Sequence, residues 1–296
     1  MEIRVLKYFL TVVREGSITK AAEVLHITQP TLSRQLSQIE EETGVRLLIR
    51  GSKKTTLTTE GLLLKRRAEE ILDLVDKTSQ ELAGQDEQVE GVVSIGSGEL
   101  KGVEILADIC CAFRKKYPRV RFDMYTATAD VVKERMDRGL IDVGLLLEPI
   151  DMERFDFIRP IGKEQWAVMM RADDPLARNE AITAQELKGL PLILPRRLNV
   201  QSELAHWFGD SFENLEVAFT GNLTTNAAVI VSKGCGYAVV IEGSLSFGEK
   251  DNIVSRPLSP PLSATTVLAW KRGKPFGIAA EKFIDFVKCF LGMAKA

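Results

Sequence analysis

Residues 21–50 read AAEVLHITQPTLSRQLSQIEEETGVRLLIR. Leu32, Leu36 and Ile39 stand at i, i+4 and i+7, the spacing of a helix with one buried stripe. Thr28 falls at the capping position of that helix, and Pro30 falls in its first turn, where a missing N–H costs no intrahelical hydrogen bond. The opposite face carries Pro30, Ser33, Arg34, Ser37 and Gln38, polar apart from the proline. Upstream, Ile3, Leu6, Phe9, Leu10 and Val13 predict an amphipathic helix that ends at Gly16. Ser17 caps a second helix, whose Ala21, Ala22 and Leu25 give a small apolar packing surface before His26 and Ile27 interrupt it. After Gly44, residues 45–49 and 55–57 flank the turn 51–54 and predict a hairpin with a basic tip. Three short helices and a basic hairpin make a winged helix-turn-helix over residues 1–58.

A helix fits the major groove of B-form DNA, and the residues at the start of such a helix reach base edges. Gln29 can pair bidentately with adenine, Arg34 with guanine or a phosphate, and Thr31 or Ser33 with either. Thr28, Pro30 and Gln38 complete the expected DNA-facing set on this helix. Arg50, Lys53 and Lys54, on and beside the wing, are expected to meet phosphates, which supply affinity rather than sequence choice.

Taken alone, the whole-chain charge argues against a nucleic-acid partner. The 296 residues hold 39 Lys+Arg against 41 Asp+Glu, a net charge of -2, with 45% hydrophobic residues. This is ordinary globular composition, which excludes disordered and fibrous chains. The charge is segregated, however: residues 1–58 carry nine Lys/Arg and six Asp/Glu, net +3, which leaves the remainder at -5. A small basic reader joined to a larger acidic partner is the reading. No run of about 18 apolar residues occurs, and the start lacks a secretion signal, so no membrane partner and a cytoplasmic location are expected. Cys110, Cys111, Cys235 and Cys289 are too scattered for a disulfide framework.

From Thr59 the chain is rich in helix formers. Leu64, Ala68, Ile71, Val75, Thr78 and Leu82 follow a heptad spacing, so Leu64, Ala68, Ile71, Val75 and Leu82 are the expected dimerisation residues. The polar, acidic segment 85–91 marks the domain boundary, which makes 59–90 a linker helix and hinge. Beyond it, strands 92–95, 119–125 and 143–147 alternate with helices 103–116 and 131–138, an α/β pattern with parallel pairing. The pattern resumes from Trp166 and closes with a strand at 267–270 and a helix at 279–290.

The block AAEVLHITQPTLSRQL, the EEETGVRLL that follows it and LTTEG after the wing resemble the DNA-binding region of LysR-type transcriptional regulators in order and spacing. VVSIGSGEL, KKYPRVRFDMY, GLIDVGLL, DDPLA, LKGLPLIL, VSKGCGYAVV and FIDFVKCF match that family more loosely. Ile49 departs from it, since an acidic or aromatic residue is commoner there. The resemblance implies an α/β chain overall: a winged helix-turn-helix and long linker helix, then a two-lobed effector-binding domain shaped like periplasmic binding proteins over 91–296. Lobe one would comprise 91–162 and 268–296, and lobe two 163–267. Ligands in such folds lie outside the carboxyl ends of parallel strands. That places Ser97, Gly98, Glu99, Thr126 and Leu147 of lobe one, with Arg197, Asn199 and Thr224 of lobe two, at a small-molecule effector whose charge stays open. A helix N-terminus after Ser97, and Arg196 or Arg197, suit an anion, whereas Glu99 suits an amine; the two arginines have the alternative of pointing to solvent or pairing across a subunit interface.

The resemblance further implies a homo-oligomer, a dimer or a dimer-of-dimers tetramer, on an interrupted inverted-repeat operator in double-stranded DNA, and leaves RNA polymerase open as a further partner. It implies no cofactor and no metal. Cys235, between glycines and apolar residues, is expected to be a buried, inert thiol, and Cys110 and Cys111 core or half-core. The competing class is a small-molecule-binding protein or enzyme built on the two-lobed domain. The two histidines, His26 and His206, form no metal or catalytic signature, and Ser97 has no base beside it in the sequence, so no enzymatic activity is expected.

Overall fold

Hydrophobic spacing at the start of the chain is realised in three helices, α1 (Ile3–Glu15), α2 (Ile18–Val24) and α3 (Gln29–Thr43). They enclose a core of Leu6, Phe9, Val12, Ala21, Leu32 and Leu36. In this computed structural model the described residues are 2–51, 55–83, 89–159, 163–247, 252–273 and 276–292. The chain divides into two units, Met1–Leu82 and Ala83–Ala296.

In the first unit α1 ends at Gly16, whose φ of 63° is open to glycine without a Cβ penalty. Ser17 accepts a hydrogen bond from the Lys20 N–H at 3.4 Å, as its capping position predicts. Thr28 stands at the N-cap of α3 but makes no side-chain capping bond. Its hydroxyl pairs with that of Thr31 at 2.8 Å, because the Pro30 ring removes one of the N–H groups a cap would serve. The wing is an antiparallel pair, β1 (Leu48–Arg50) and β2 (Thr55–Leu57). Glu40 of α3 fixes it by accepting from the Leu47 and Leu48 N–H groups at 2.7 and 3.1 Å. The long helix α4 (Thr59–Ala83) starts from Thr58, whose hydroxyl accepts from Gly61 N–H at 2.9 Å and donates to the Arg46 carbonyl at 2.7 Å.

The second unit holds two sheets. The five-stranded sheet of lobe one has the order β4-β3-β5-β14-β6, built from β3 (Gly91–Ser97), β4 (Val120–Thr126), β5 (Val143–Leu147), β6 (Phe155–Ile158) and β14 (Thr266–Lys271). Pairing of β3 with β4 and β5 is parallel, but β14 runs antiparallel to β5 and β6. The parallel pairing expected of the first three strands is realised, and β14 returns from the other lobe and enters between β5 and β6 against their direction. Helices α5 (Val103–Lys116), α6 (Ala129–Asp137) and α9 (Ile278–Phe290) belong to this lobe. Phe113 and Phe283 meet edge-to-face at 5.2 Å in its core, each burial worth about 2–3 kcal/mol.

The seven-stranded sheet of lobe two is centred on β7 (Glu164–Arg171). Beside it lie β8 (Ile182–Thr183), β9 (Leu192–Pro195), β10 (Val217–Gly221), β11 (Tyr237–Ile241), β12 (Ile253–Ser259) and β13 (Ser263–Ala264). Helices α7 (Leu198–Phe208) and α8 (Thr224–Ser232) follow β9 and β10. The chain crosses between lobes twice, into β7 and out of β13 to β14, so the carboxyl ends of β3, β5, β9 and β10 face one cleft. Cores of the two lobes merge into one cluster that includes Phe113, Leu145, Trp166 and Val239.

Candidate functional site

The first unit presents the predicted reading face. Leu32, Leu36 and Ile39 are buried, whereas Thr28, Gln29, Pro30, Thr31, Arg34 and Gln38 are exposed and Ser33 is half-buried. No ion pair engages Arg34 among the described residues, so its guanidinium is available. Gln38 donates to Glu42 at 3.0 Å, which turns it along the helix. Arg50 is described in its backbone alone, and Lys53 and Lys54 lie outside the described residues. The arrangement offers an amide, hydroxyls and a guanidinium at the start of one helix, donors and acceptors suited to base edges.

The dimerisation expectation needs correcting at Ala68. Ala68 is 0% exposed inside the core of the unit, with Leu64 and Leu72 packed against it. These residues root α4 in the three-helix head; Ala68 has no surface left for a partner, whereas Leu64 and Leu72 are half-buried. The apolar residues that α4 turns outward are Leu62, Leu63, Ile71 and Leu74. Val75 is half-buried, and the side chain of Leu82 lies outside the described residues.

In the second unit the lobes enclose a cavity of about 110 Å³. Gly98, Glu99, Leu147, Arg197 and Thr224 line it as expected. Ser97, Thr126 and Asn199 do not. Ser97 is 2% exposed and its hydroxyl donates to the Gly98 carbonyl at 2.7 Å. Thr126 is exposed at the end of the edge strand β4. Asn199 opens into a separate depression with Glu203 and His206, because the first turn of α7 carries it past the cleft. Burial raises the Glu203 carboxyl, with Arg197 pulling it back.

Charged groups at the cleft are bound across it. Arg197 is held by Asp130 of α6 through Nε at 2.9 Å and Nη2 at 3.2 Å, and donates to the Leu147 and Pro149 carbonyls at 3.1 and 2.9 Å. Glu99 of lobe one caps α8 of lobe two: its carboxylate accepts from Thr224 N–H at 2.5 Å, from Thr225 N–H at 3.0 Å and from the Thr225 hydroxyl. Thr224 turns its own hydroxyl to Ser244 at 2.8 Å. Glu164, buried at the head of β7, accepts from the Lys101 and Gly102 N–H groups at 3.3 Å, just before α5. Burial raises its carboxyl above the usual range, and the two amides oppose that shift. Each lobe thus sends a carboxylate to the start of a helix in the other.

Most of the rest of the cavity wall is apolar, including Leu100, Ala127, Ile193, Leu194, Val200 and Ala227, with Thr128, Arg196 and Asn222 as its polar members. Trp166 also lines it; its indole N–H is buried with no acceptor among the described residues, a deficit of about 1–3 kcal/mol. Sequence reasoning missed Asp130, Glu164 and Trp166, whose roles depend on neighbours distant in the chain. Cys235 is exposed, contrary to the buried thiol expected, because Gly234 (φ 76°) and Gly236 (φ 148°) turn it outward between α8 and β11. Cys110 is half-buried and its thiol is pushed up to about 12 by burial, while Cys111 is exposed. No group of ligating side chains among the described residues could hold a metal ion, and no described helix is long and apolar enough to cross a membrane.

Residues 3–62 match the family model for the bacterial regulatory helix-turn-helix protein of the lysR family, and residues 86–291 match the LysR substrate binding domain. The chain belongs to the LysR family. It is a LysR-type DNA-binding transcriptional regulator with an effector-binding domain. Relatives extend over the whole chain: the uncharacterized HTH-type transcriptional regulator YvbU of Bacillus subtilis (strain 168) is 30% identical over 294 residues, 99% of each chain. The Hca operon transcriptional activator HcaR of Escherichia coli (strain K12) is 29% identical, covering 97% of each. Among solved structures, the LysR family regulator CbnR aligns with a TM-score of 0.75 at 22% identity over 100% of both chains. BenM aligns with a TM-score of 0.53 at 26% identity, covering 100% of this chain and 99% of that one. This LysR-type regulator therefore has the family's two domains in the family's order.

Proposed function

We propose that this regulator reads an interrupted inverted repeat in double-stranded DNA through the start of α3 and is switched by a small molecule held between its lobes. The observation that carries the reading is the division of α3. Its Leu32, Leu36 and Ile39 stripe is buried, while Gln29, Thr31 and Arg34 stand exposed and, among the described residues, unengaged by ion pairs. Two copies joined along α4 present two such helices to successive major grooves. The outward Leu63, Ile71 and Leu74 supply the apolar surface for that pairing. Arg50 and the wing lysines Lys53 and Lys54 add phosphate contacts, and the acidic second unit keeps the affinity dependent on these few cations. An effector between the lobes shifts the population of their closed arrangement only if it binds that arrangement more tightly. CbnR, similar in fold, has been solved in complex with its target DNA.

The test is a footprint on the chain's own upstream region. Arg34→Ala abolishes the protected site and leaves the oligomer and the folded state unchanged by sedimentation and circular dichroism. A footprint of undiminished strength would remove Arg34 from the reading face. Loss of binding accompanied by loss of folding would place it in the structure of the head instead.

A further inference from the structure

Resting on the reading of the cleft as the effector site, we infer that its effector is a small organic anion whose acidic group is held by Arg196, with Asn222 and Thr128 as further donors. Among the described residues, three charged ones line the cavity: Glu99, Arg196 and Arg197. Two of them are engaged within the chain. The Glu99 carboxylate accepts from the Thr224 and Thr225 N–H groups at 2.5 and 3.0 Å and from the Thr225 hydroxyl. Arg197, 9% exposed in its side chain, is held by Asp130 and by the Leu147 and Pro149 carbonyls. Arg196 is exposed, and no ion pair or hydrogen bond engages its guanidinium among the described residues. A charged ligand therefore meets one uncompensated charge on this wall, and it is positive.

The backbone sets that charge beside a second donor. Arg196 follows β9 and Asn222 follows β10, strands paired in parallel through Pro195 and Gly221, and the Arg196 N–H donates to the Gly221 carbonyl at 2.8 Å. Asn222 is exposed as well, with no hydrogen bond to its side chain among the described residues. Thr128 answers from lobe one: half-buried at the N-cap of α6, it makes no side-chain capping bond, and its hydroxyl is uncommitted among the described residues. Guanidinium, amide and hydroxyl all donate, and an ionised carboxylate only accepts, so the set matches an acid in charge and in hydrogen-bonding sense. An amine would meet Arg196 as a like charge and find Glu99 already occupied by three donors. Most of the remaining wall is apolar, as at Leu100, Ile193 and Val200. A cavity of about 110 Å³ is smaller than the roughly 150 Å³ apolar void that admits a benzene ring, so the anion carries a short apolar body.

The experiment titrates the full chain with butyrate, butyramide and n-butylamine, an anion, a neutral molecule and a cation of one length, by calorimetry at constant ionic strength. Butyrate binds the parent at least about tenfold more tightly than butyramide, the worth of one charge-assisted contact, and butylamine binds no better than the amide. Arg196→Ala lowers butyrate affinity about tenfold and leaves butyramide unmoved. Thermal unfolding of that variant without ligand stays near the parent, because an exposed side chain with no polar partner is lost. Arg196→Lys restores part of the preference, since an ammonium supplies the charge without the bidentate fork. Butyramide or butylamine binding the parent as tightly as butyrate would overturn the inference. So would a preference that survives Arg196→Ala, a lysine variant no better than the alanine one, or failure of butyrate to bind the parent. Operator affinity measured on the same samples separates the two readings. Selective butyrate binding that leaves DNA affinity unmoved refutes effector control and leaves the ligand class standing.

Discussion

Replacing Arg197 by alanine removes the tie that joins the start of α7 to lobe one. Its worth follows from the geometry. The Asp130 carboxylate is 52% exposed, so solvent screening limits that pair to about 1 kcal/mol. The two bonds to the Leu147 and Pro149 carbonyls come from a guanidinium only 9% exposed and contribute about 1 kcal/mol each, since the carbonyls regain water only in part. The loss is about 3 kcal/mol, and for a unit of this size each kcal/mol moves the midpoint by about 2–4 °C. Arg197→Ala therefore lowers the effector-unit transition by about 6–12 °C in calorimetry. Asp130→Ala, which leaves both carbonyl bonds, lowers it by about 2–4 °C, and the double variant matches Arg197→Ala with a coupling of about 1 kcal/mol. An Arg197→Ala midpoint within about 2 °C of the parent would refute the reasoning. So would an Asp130→Ala loss as large as that of the arginine variant, because the carbonyl contacts would then carry nothing.

Gly61→Ala should destabilise the head by about 2–3 kcal/mol in denaturant unfolding, because an added Cβ would sit 2.1 Å from the Leu47 carbonyl oxygen, a backbone atom with little room to retreat; an unchanged midpoint would contradict that contact. Glutamates at both Ile71 and Leu74, which are exposed, should shift sedimentation toward smaller species without lowering the stability of the head; an unaltered profile would move the pairing surface off α4. A thiol reagent applied to the native chain should label Cys111, Cys235 and Cys289 quickly and Cys110 only on unfolding, since Cys110 is half-buried and titrates near about 12; four equally fast thiols would refute the burial. Glu164 has a folded-state value raised above 4.5, so its contribution is fully present below that pH and is lost as pH rises through the raised value. Glu164→Gln should accordingly lose less stability than the parent between pH 4.5 and neutrality, and parallel pH curves would show that the carboxyl titrates normally.

What could be read in advance was local. The i, i+4, i+7 stripe of α3 and the Ser17 cap depend on residues within one or two turns, and the structure reproduces both. A heptad seam, by contrast, records that one side of α4 is apolar but not what covers it, and the three-helix head claims Leu64 and Ala68. The cleft was legible as a position and not as a chemistry. Glu99 and Arg197 were named as ligands for opposite charges, yet their partners lie 126 and 67 residues away at Thr225 and Asp130, beyond the reach of any spacing rule. Ser97 shows the same limit at close range: it is buried with its hydroxyl on the Gly98 carbonyl and does not line the cavity. The direction of β14 follows from where the chain re-enters lobe one, a property of topology rather than of its own six residues.

The burial of Ala68 has a mechanical meaning. Because α4 is clamped by the head at Leu64, Ala68 and Leu72, it is a shaft fixed to its tool rather than a flexible tether. From Ala68 to Thr78 the shaft extends about 15 Å, so a tilt of about 10° at its root is a sideways travel of only about 3 Å at that point. Whatever grips the far end of α4 therefore steers the pitch of α3 with little play.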